Sequence, residues 1–339
     1  MENEMMTVQL EEMEQLFASI LMKNGVSEKE AEETAQVFTC NATDGVLSHS
    51  VMRFPRLIRQ IQLGIVKSGV LPVCISSRMA VQRSDAGFGL GTTSARLSME
   101  RACSLAKEYG IGLVALKNAN HWMRGGYYGW QAAQQQMIGI CWTNTMPNMP
   151  PWGALESTIG NNPCVIAIPR KNGKHVVLDS AMSQFSYGKL EETRLKGQQL
   201  PVVGGYDKEG FLTTDPQSIE ETGRVVPAGF WKGSALSLVL DMAAALLADG
   251  NCTCEIPKDT IRESGLSQMF IAINPEFLGE EHSERIANKV IDSIHASKSI
   301  KKGGVVRYPG ERVIQDRENA RLHGVSLSSQ AWQAIKDLA

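Results

Sequence analysis

What this 339-residue chain lacks narrows its function first. No apolar run approaches the roughly 20 residues that a membrane-spanning helix needs, so no membrane-embedded segment is expected. The opening residues, MENEMMTVQLEEMEQL, carry acids where a secretory leader carries lysine or arginine, and export is not expected either. Net charge is scarce. The 34 basic and 36 acidic side chains leave a formal charge of -2, too little for a phosphate-coating surface, so nucleic acid is not an expected partner. The seven cysteines (Cys40, Cys74, Cys103, Cys141, Cys164, Cys252, Cys254) are odd in number, scattered, and contain no CxxC. That pattern fits free thiols in a reducing, cytosolic compartment rather than a disulfide framework. The six histidines contain no HxxxH, and a metal centre is not expected.

What is present is material for a core: 43% of residues are apolar, ample for one large domain or two ordinary ones. Leu10, Met13, Phe17 and Leu21 form a helical stripe stopped by Gly25. A second helix opens at SEKE, where Ser27 and Glu30 can form a capping box, and runs towards Asp44 and Gly45. Pro55 breaks the next stretch, GVLSHSVMRFPRLI, into a capped turn or short kinked helix over 48–54 and a new helix from Pro55 to Gly64. Beyond residue 75, short β-like runs starting at 111, 137, 164, 175 and 269 alternate with helical stretches at 92–109, 126–136, 234–248 and 283–297. The tail returns to helix in ERVIQDRENARLHG and AWQAIKDL. This predicts a mixed α/β (α+β) protein: a discontinuous helical domain from 1–75 and 300–339, and a mixed α/β domain over 76–299.

The glycine-rich turn GFGLGTTSA (87–95) resembles a dinucleotide loop only superficially, with Thr92 where the fingerprint wants its third glycine and Glu108 on the following helix rather than at a strand end. It reads as a plain turn into a helix. YDKEGFLTTDP (206–216) lacks the ligand alternation of a calcium loop and reads as a surface turn. His49 and His121 stand apart from the other histidines. His49 neighbours Ser48 and precedes Arg53 by four; His121 lies in NANHWMRGGYYGW, with four aromatic side chains, an arginine and paired glycines. Each alone could be a satisfied structural histidine. Together with Arg53 they suggest an arginine fork that binds a carboxylate beside an imidazolium that can protonate a nascent alkoxide, which suits reduction of a 2-keto acid. Side chains supply no hydride, so a nicotinamide is required. The same residues would also serve a non-redox lyase or a sugar-acid binding protein.

At SHSVMRFPRLI, GIGLVALKNANHWMRGGYYGWQAA, IGICWTNTMPNMPPWGA, FSYGKLE and PAGFWKGSALSLVLDM the chain resembles the malate/L-lactate dehydrogenase-type oxidoreductases that lack a Rossmann fold, over nearly its whole length. The resemblance implies a largely antiparallel sheet, a homodimer, and hydride transfer from NADH or NADPH to a 2-keto acid. It makes His49 the proton donor, with Ser48 and Arg53 as its associates, and His121 a further catalytic candidate. It places nucleotide binding on His175, Val176, Val177, Leu178, Asp179, Ser180 and Ala181, on Trp231 and Lys232, and on Gly310, Glu311 and Arg312. WMRGG is similar to the branch of the family whose keto acids are longer and hydroxylated; Arg124 is the candidate to grip such a substrate, with Trp122 walling the pocket, and a structural role for Arg124 is the alternative. Many relatives have glycine where Ser50 stands, so the turn is expected to suit an ordinary residue. Arg170, Lys171 and Lys174 flank the cofactor strand and are either 2′-phosphate contacts or a solvated basic turn.

Overall fold

The structure, a computed structural model, describes residues 5–278 and 280–339. Strands in chain order are β1 (Met5–Val8), β2 (Val73–Arg78), β3 (Val81–Asp85), β4 (Ile111–Ala119), β5 (Ile138–Thr143), β6 (Cys164–Ile168), β7 (Val176–Ser180), β8 (Gly205–Tyr206), β9 (Leu212–Thr213), β10 (Leu266–Ile273) and β11 (Val325–Ser328). Helices are α1 (Leu10–Lys23), α2 (Glu28–Thr43), α3 (Phe54–Gln62), α4 (Gly91–Tyr109), α5 (Gly125–Gln134), α6 (Tyr187–Leu195), α7 (Pro216–Thr222), α8 (Trp231–Ala248), α9 (Glu280–His295), α10 (Glu311–His323) and α11 (Ser329–Lys336).

A seven-stranded sheet in the order β2-β3-β4-β10-β5-β6-β7 forms the frame. Only β3 and β4 run parallel; the other neighbours are antiparallel. A largely antiparallel sheet of this kind matches the expectation and excludes a parallel Rossmann arrangement. Position in the sheet explains sequence texture. Central β10, LSQMFIAI, is buried on both faces and so reads as a nearly unbroken apolar run. Edge strand β2 is exposed throughout, and its sequence carries no burial signal. The hairpin of β2 and β3 was accordingly not foreseen, nor were the four-residue strands β1 and β11 that pair at the two ends of the chain.

Helices α4 and α5 cover one sheet face, where Trp122, Tyr128, Trp130 and Phe270 share a core. The opposite face packs Trp142, Met149, Met269 and Leu240 with α6 to α8. A separate apolar cluster joins Phe17, Phe38 and Phe54 near the start of the chain to Leu327, Trp332 and Ile335 near its end. The Phe17 and Phe54 rings lie 4.4 Å apart, and Phe38 meets Phe54 edge-on at 5.1 Å.

Two local expectations change. Ser27 does not cap the α2 amides; its hydroxyl donates to Glu30 at 2.9 Å, and the Glu30 carboxylate accepts the Gly69 amide at 2.9 Å, tying α2 to the following loop. Helix α8 starts three residues earlier than expected and is, by length and composition alone, apolar enough to cross a membrane, with a mean hydropathy of 1.3 over 18 residues. Its inner face is pinned by polar contacts: Asn162 donates to the Ser237 carbonyl, Trp142 to the Leu240 carbonyl, and Asp241 accepts from Asn144 and the Thr253 amide. These bonds make α8 a packing helix of the sheet.

The GFGLG turn is a device of close packing. A β-carbon at Gly89 would lie 2.1 Å from the Val70 carbonyl oxygen, and one at Gly91 2.3 Å from that of His121. The Asn120 amide donates to the Phe88 and Gly89 carbonyls at 2.8 Å. The turn therefore buttresses the loop that carries His121.

Candidate active site

The site forms where three connections meet: the turn between α2 and α3, the loop after β4, and the loop before β10. His49 closes a short 3-10 turn, Leu47–His49, and its carbonyl accepts the Asn41 side-chain amide at 3.0 Å. Ser50 has a negative φ, -128°, so the turn does not demand the positive φ that would favour glycine, and its hydroxyl donates to the Phe38 carbonyl at 2.7 Å. The serine in place of the glycine of many relatives thus adds an anchor. Arg53 sits at the N-cap of α3, and Pro55 lies in that helix's first turn, where its missing amide costs nothing.

Ser48 and His49 are joined by a hydrogen bond of 3.0 Å between Oγ and Nδ1. The His121 ring stacks on His49 with centroids 6.0 Å apart and planes inclined by 21°. Its Nδ1 accepts the Met123 amide at 3.1 Å, so a neutral His121 carries its proton on Nε2. Burial and the adjacent Arg53 push His49 down to about 4, with Asp179 pulling the other way. Burial, Arg53 and His49 itself push His121 well below the usual imidazole range. Both shifts favour the neutral rings in the ligand-free site.

Arg53 Nη2 donates to Glu263 Oε2 at 2.9 Å. Glu263 is held by its main chain, since Gln60 donates to the Ile261 and Glu263 carbonyls at 3.0 and 3.4 Å. Helix α6 presses on Ser48 from another side: a β-carbon at Gly188 would fall 2.7 Å from that of Ser48, which explains the glycine in FSYGKLE.

Arg124 is placed differently from the expectation that it grips substrate. It is buried, donating through Nε to Asp179 at 2.9 Å and through Nη1 to Asp44, which also accepts from Arg317 Nη2 at 2.9 Å. Burial opposes its charge, yet Asp179 and Asp44 together hold the guanidinium above its ordinary range. The paired glycines of WMRGG permit this. A β-carbon at Gly126 would lie 2.5 Å from Asp179 Oδ2, to which the Gly126 amide donates at 3.1 Å. Trp122 is likewise core rather than pocket wall, 1% exposed and packed on Tyr128 and Phe270 at 5.6 and 5.8 Å, because an indole in that position fills the space between α5 and β10.

The three segments assigned to the nucleotide by resemblance converge along edge strand β7. His175 precedes it, with Nδ1 accepting the Arg170 amide at 2.9 Å. The Val177 amide donates to Pro309 at 2.9 Å, and Gly310, at φ +92°, caps α10 so close that a β-carbon would meet the Val177 nitrogen at 3.0 Å. Beyond the strand, Ala228 donates to the Met182 carbonyl at 2.8 Å, bringing the start of α8, with exposed Trp231 and adjacent Lys232, to the far end. Glu311 accepts from the Tyr308 amide and pairs with His295 at 2.9 Å, whereas Arg312 is exposed and pairs with Asp316. Val176, Leu178, Ser180 and Ala181 complete the segment. The close approach of Gly310 to the β7 backbone requires a glycine and fixes the start of α10 beside this strand.

Residues 8–336 match the family described as malate/L-lactate dehydrogenase. The chain belongs to that family. It is 42% identical to the 2,3-diketo-L-gulonate reductase of Citrobacter koseri, over 98% of this chain and 100% of that one, and 43% identical to the Escherichia coli (strain 536) protein of the same name over the same shares. Among solved structures it is similar to the sulfolactate dehydrogenase of Methanocaldococcus jannaschii, with a TM-score of 0.89 at 32% identity over 98% and 96% of the two chains. The malate dehydrogenase of Pyrococcus horikoshii gives a TM-score of 0.90 at 26% identity, over 100% of this chain and 96% of that one. The chain is thus a nicotinamide-dependent oxidoreductase of the keto-acid class, and the non-redox alternatives fall away.

Asp44, Arg56, Glu263 and Arg317 belong to the site and were not singled out from the sequence. Asp44 and Arg56 flank the turn of Ser48, His49 and Arg53, whereas Glu263 and Arg317 lie far along the chain and only folding brings them to it.

Proposed function

We propose that this family member reduces 2,3-diketo-L-gulonate to 3-dehydro-L-gulonate, acting on the carbonyl beside the carboxylate. The observation that carries the reading is one turn of chain that holds Ser48, His49 and Arg53 together against His121. When bound, the reduced nicotinamide supplies the hydride. Arg53 binds the substrate carboxylate, and Glu263 fixes the plane of the guanidinium so that the fork meets both oxygens. The incoming anion offsets the charge of Arg53, the main electrostatic force holding His49 neutral, so His49 gains its proton as substrate binds. Ser48 then accepts from Nδ1, leaving Nε2 to donate to the carbonyl oxygen. Two relatives of that name at 42% and 43% identity support diketogulonate over malate, lactate or ureidoglycolate. A panel of 2-keto acids, followed by loss of nicotinamide absorbance, checks this: the highest kcat/KM should fall to 2,3-diketo-L-gulonate, and a preference for oxaloacetate or pyruvate would refute it.

Of the basic side chains that could meet a 2′-phosphate, Arg170 is taken up by Asn288 at 2.7 Å and Glu284 at 3.5 Å, and its burial follows from that docking on α9. Lys174 lies in an exposed turn closed by Asn172, and Lys171 donates its amide to Glu284. With the Arg170 side chain so engaged, we read NADH rather than NADPH as the reductant. For assembly we propose a homodimer, supported by the outward face of α8, where Leu238, Val239, Met242 and Leu246 are at least half exposed.

A further inference from the structure

The charges around the two histidines do not cancel, and the remainder has a consequence for substrate choice. Among the described residues, Asp44 and Asp179 are balanced by Arg124 and Arg317. Two further guanidiniums, Arg53 and Arg56, act on both His49 and His121, and one carboxylate, Glu263, pairs with Arg53 at 2.9 Å. Arg56 is itself lowered by burial and by Arg53, with Glu263 opposing. With both imidazoles neutral, two cations and one anion leave a single positive charge. Glu263 is 4% exposed and its loop is anchored by Gln60, so this carboxylate cannot swing away to solvent. One of its oxygens is committed to Arg53; the other receives only a long contact, 3.5 Å, from the Met146 amide and keeps lone pairs for a hydroxyl donor.

We propose that Glu263 is a specificity-determining residue: beside Arg53 it accepts a hydroxyl of the substrate and limits the site to 2-keto acids with one carboxylate, turning away keto diacids. The inference rests on the keto-acid reductase reading above. A single carboxylate neutralises the one uncompensated charge. A second would enter a poorly solvated site beside the buried Glu263 carboxylate, a like charge that cannot move away, and this repulsion is what discriminates.

The test compares kcat/KM for 2,3-diketo-L-gulonate and oxaloacetate, with NADH, in wild type, Glu263→Gln and Glu263→Asp. Wild type should favour the monocarboxylate at least tenfold, Glu263→Gln should move the ratio towards oxaloacetate at least tenfold, and Glu263→Asp, which keeps the charge, should retain the preference. A ratio unchanged between wild type and Glu263→Gln overturns the proposal and leaves the reductase reading intact. A wild type inactive with every keto acid removes both. Calorimetric binding to wild type needs no variant that folds: oxamate, a monoanion, should bind at least tenfold more tightly than isosteric oxalate, a dianion, and equal or tighter binding of oxalate overturns the proposal.

Discussion

The imidazoles of His49 and His121 lie nearly parallel, 6.0 Å apart. Two imidazoliums in that arrangement would repel each other in a site already facing Arg53 and Arg56, so at most one of the two rings is an imidazolium at a time. Proton delivery must therefore be coupled to the arrival of an anion. The substrate's carboxylate is that anion, which makes binding and acid catalysis parts of one electrostatic event.

This coupling has a pH signature. Reduction needs protonated His49, whose free-enzyme value is depressed to about 4, so kcat/KM should fall as pH rises, by about tenfold per unit between roughly pH 5 and pH 7. Bound substrate screens Arg53, and the break in the kcat profile should lie at higher pH than that in kcat/KM. A kcat/KM profile flat over this range, or breaking above the usual imidazole value, would contradict the assignment.

Arg53→Ala removes both the carboxylate fork and the principal charge opposing protonation of His49. We expect KM for the keto acid to rise by about a hundredfold, in keeping with loss of a charge-assisted bidentate contact of a few kcal/mol. The kcat/KM break should also move to higher pH. Titration of the His49 ring by NMR in the ligand-free variant measures that shift; an unmoved ring would show that Arg53 does not control it.

Arg124 tests structure rather than chemistry. Arg124→Ala leaves Asp179 and part of Asp44 uncompensated in a buried setting and should cost about 3 kcal/mol or more of stability. Arg124→Lys should recover little, because one ammonium cannot reproduce a planar fork between two carboxylates. Urea denaturation decides: a loss below about 1 kcal/mol, the size of an ordinary surface change, would return Arg124 to the role of a substrate contact.

If α8 pairs with a second copy, a Leu238→Glu, Leu246→Glu double variant should sediment as a monomer while wild type sediments as a dimer. Identical sedimentation of the two proteins would remove α8 from the interface.

Legibility from sequence followed the physical nature of each signal. Helical stripes such as Leu10, Met13 and Phe17, and continuously apolar strands such as β10, were plain because burial repeats along the chain. The turn of Ser48, His49 and Arg53 could be read as a local unit, since Pro55 marks its end. The exposed hairpin of β2 and β3 could not, because its residues meet solvent and carry no alternation. Arg124 illustrates the limit best. The WMRGG resemblance suggested a substrate clamp with a structural role as the alternative, and its partners Asp44 and Asp179 lie 80 and 55 positions away and have no sequence signature. Glu263, 210 positions from Arg53, was invisible for the same reason.

The account's central claim is that His49 donates the proton in a nicotinamide-dependent reduction. Its most direct test is the rate of NADH oxidation with 2,3-diketo-L-gulonate in wild type and in folded His49→Ala. Wild type should turn over, and His49→Ala should be slower by about a hundredfold or more, the usual contribution of a positioned acid. Equal rates in the two proteins would contradict it.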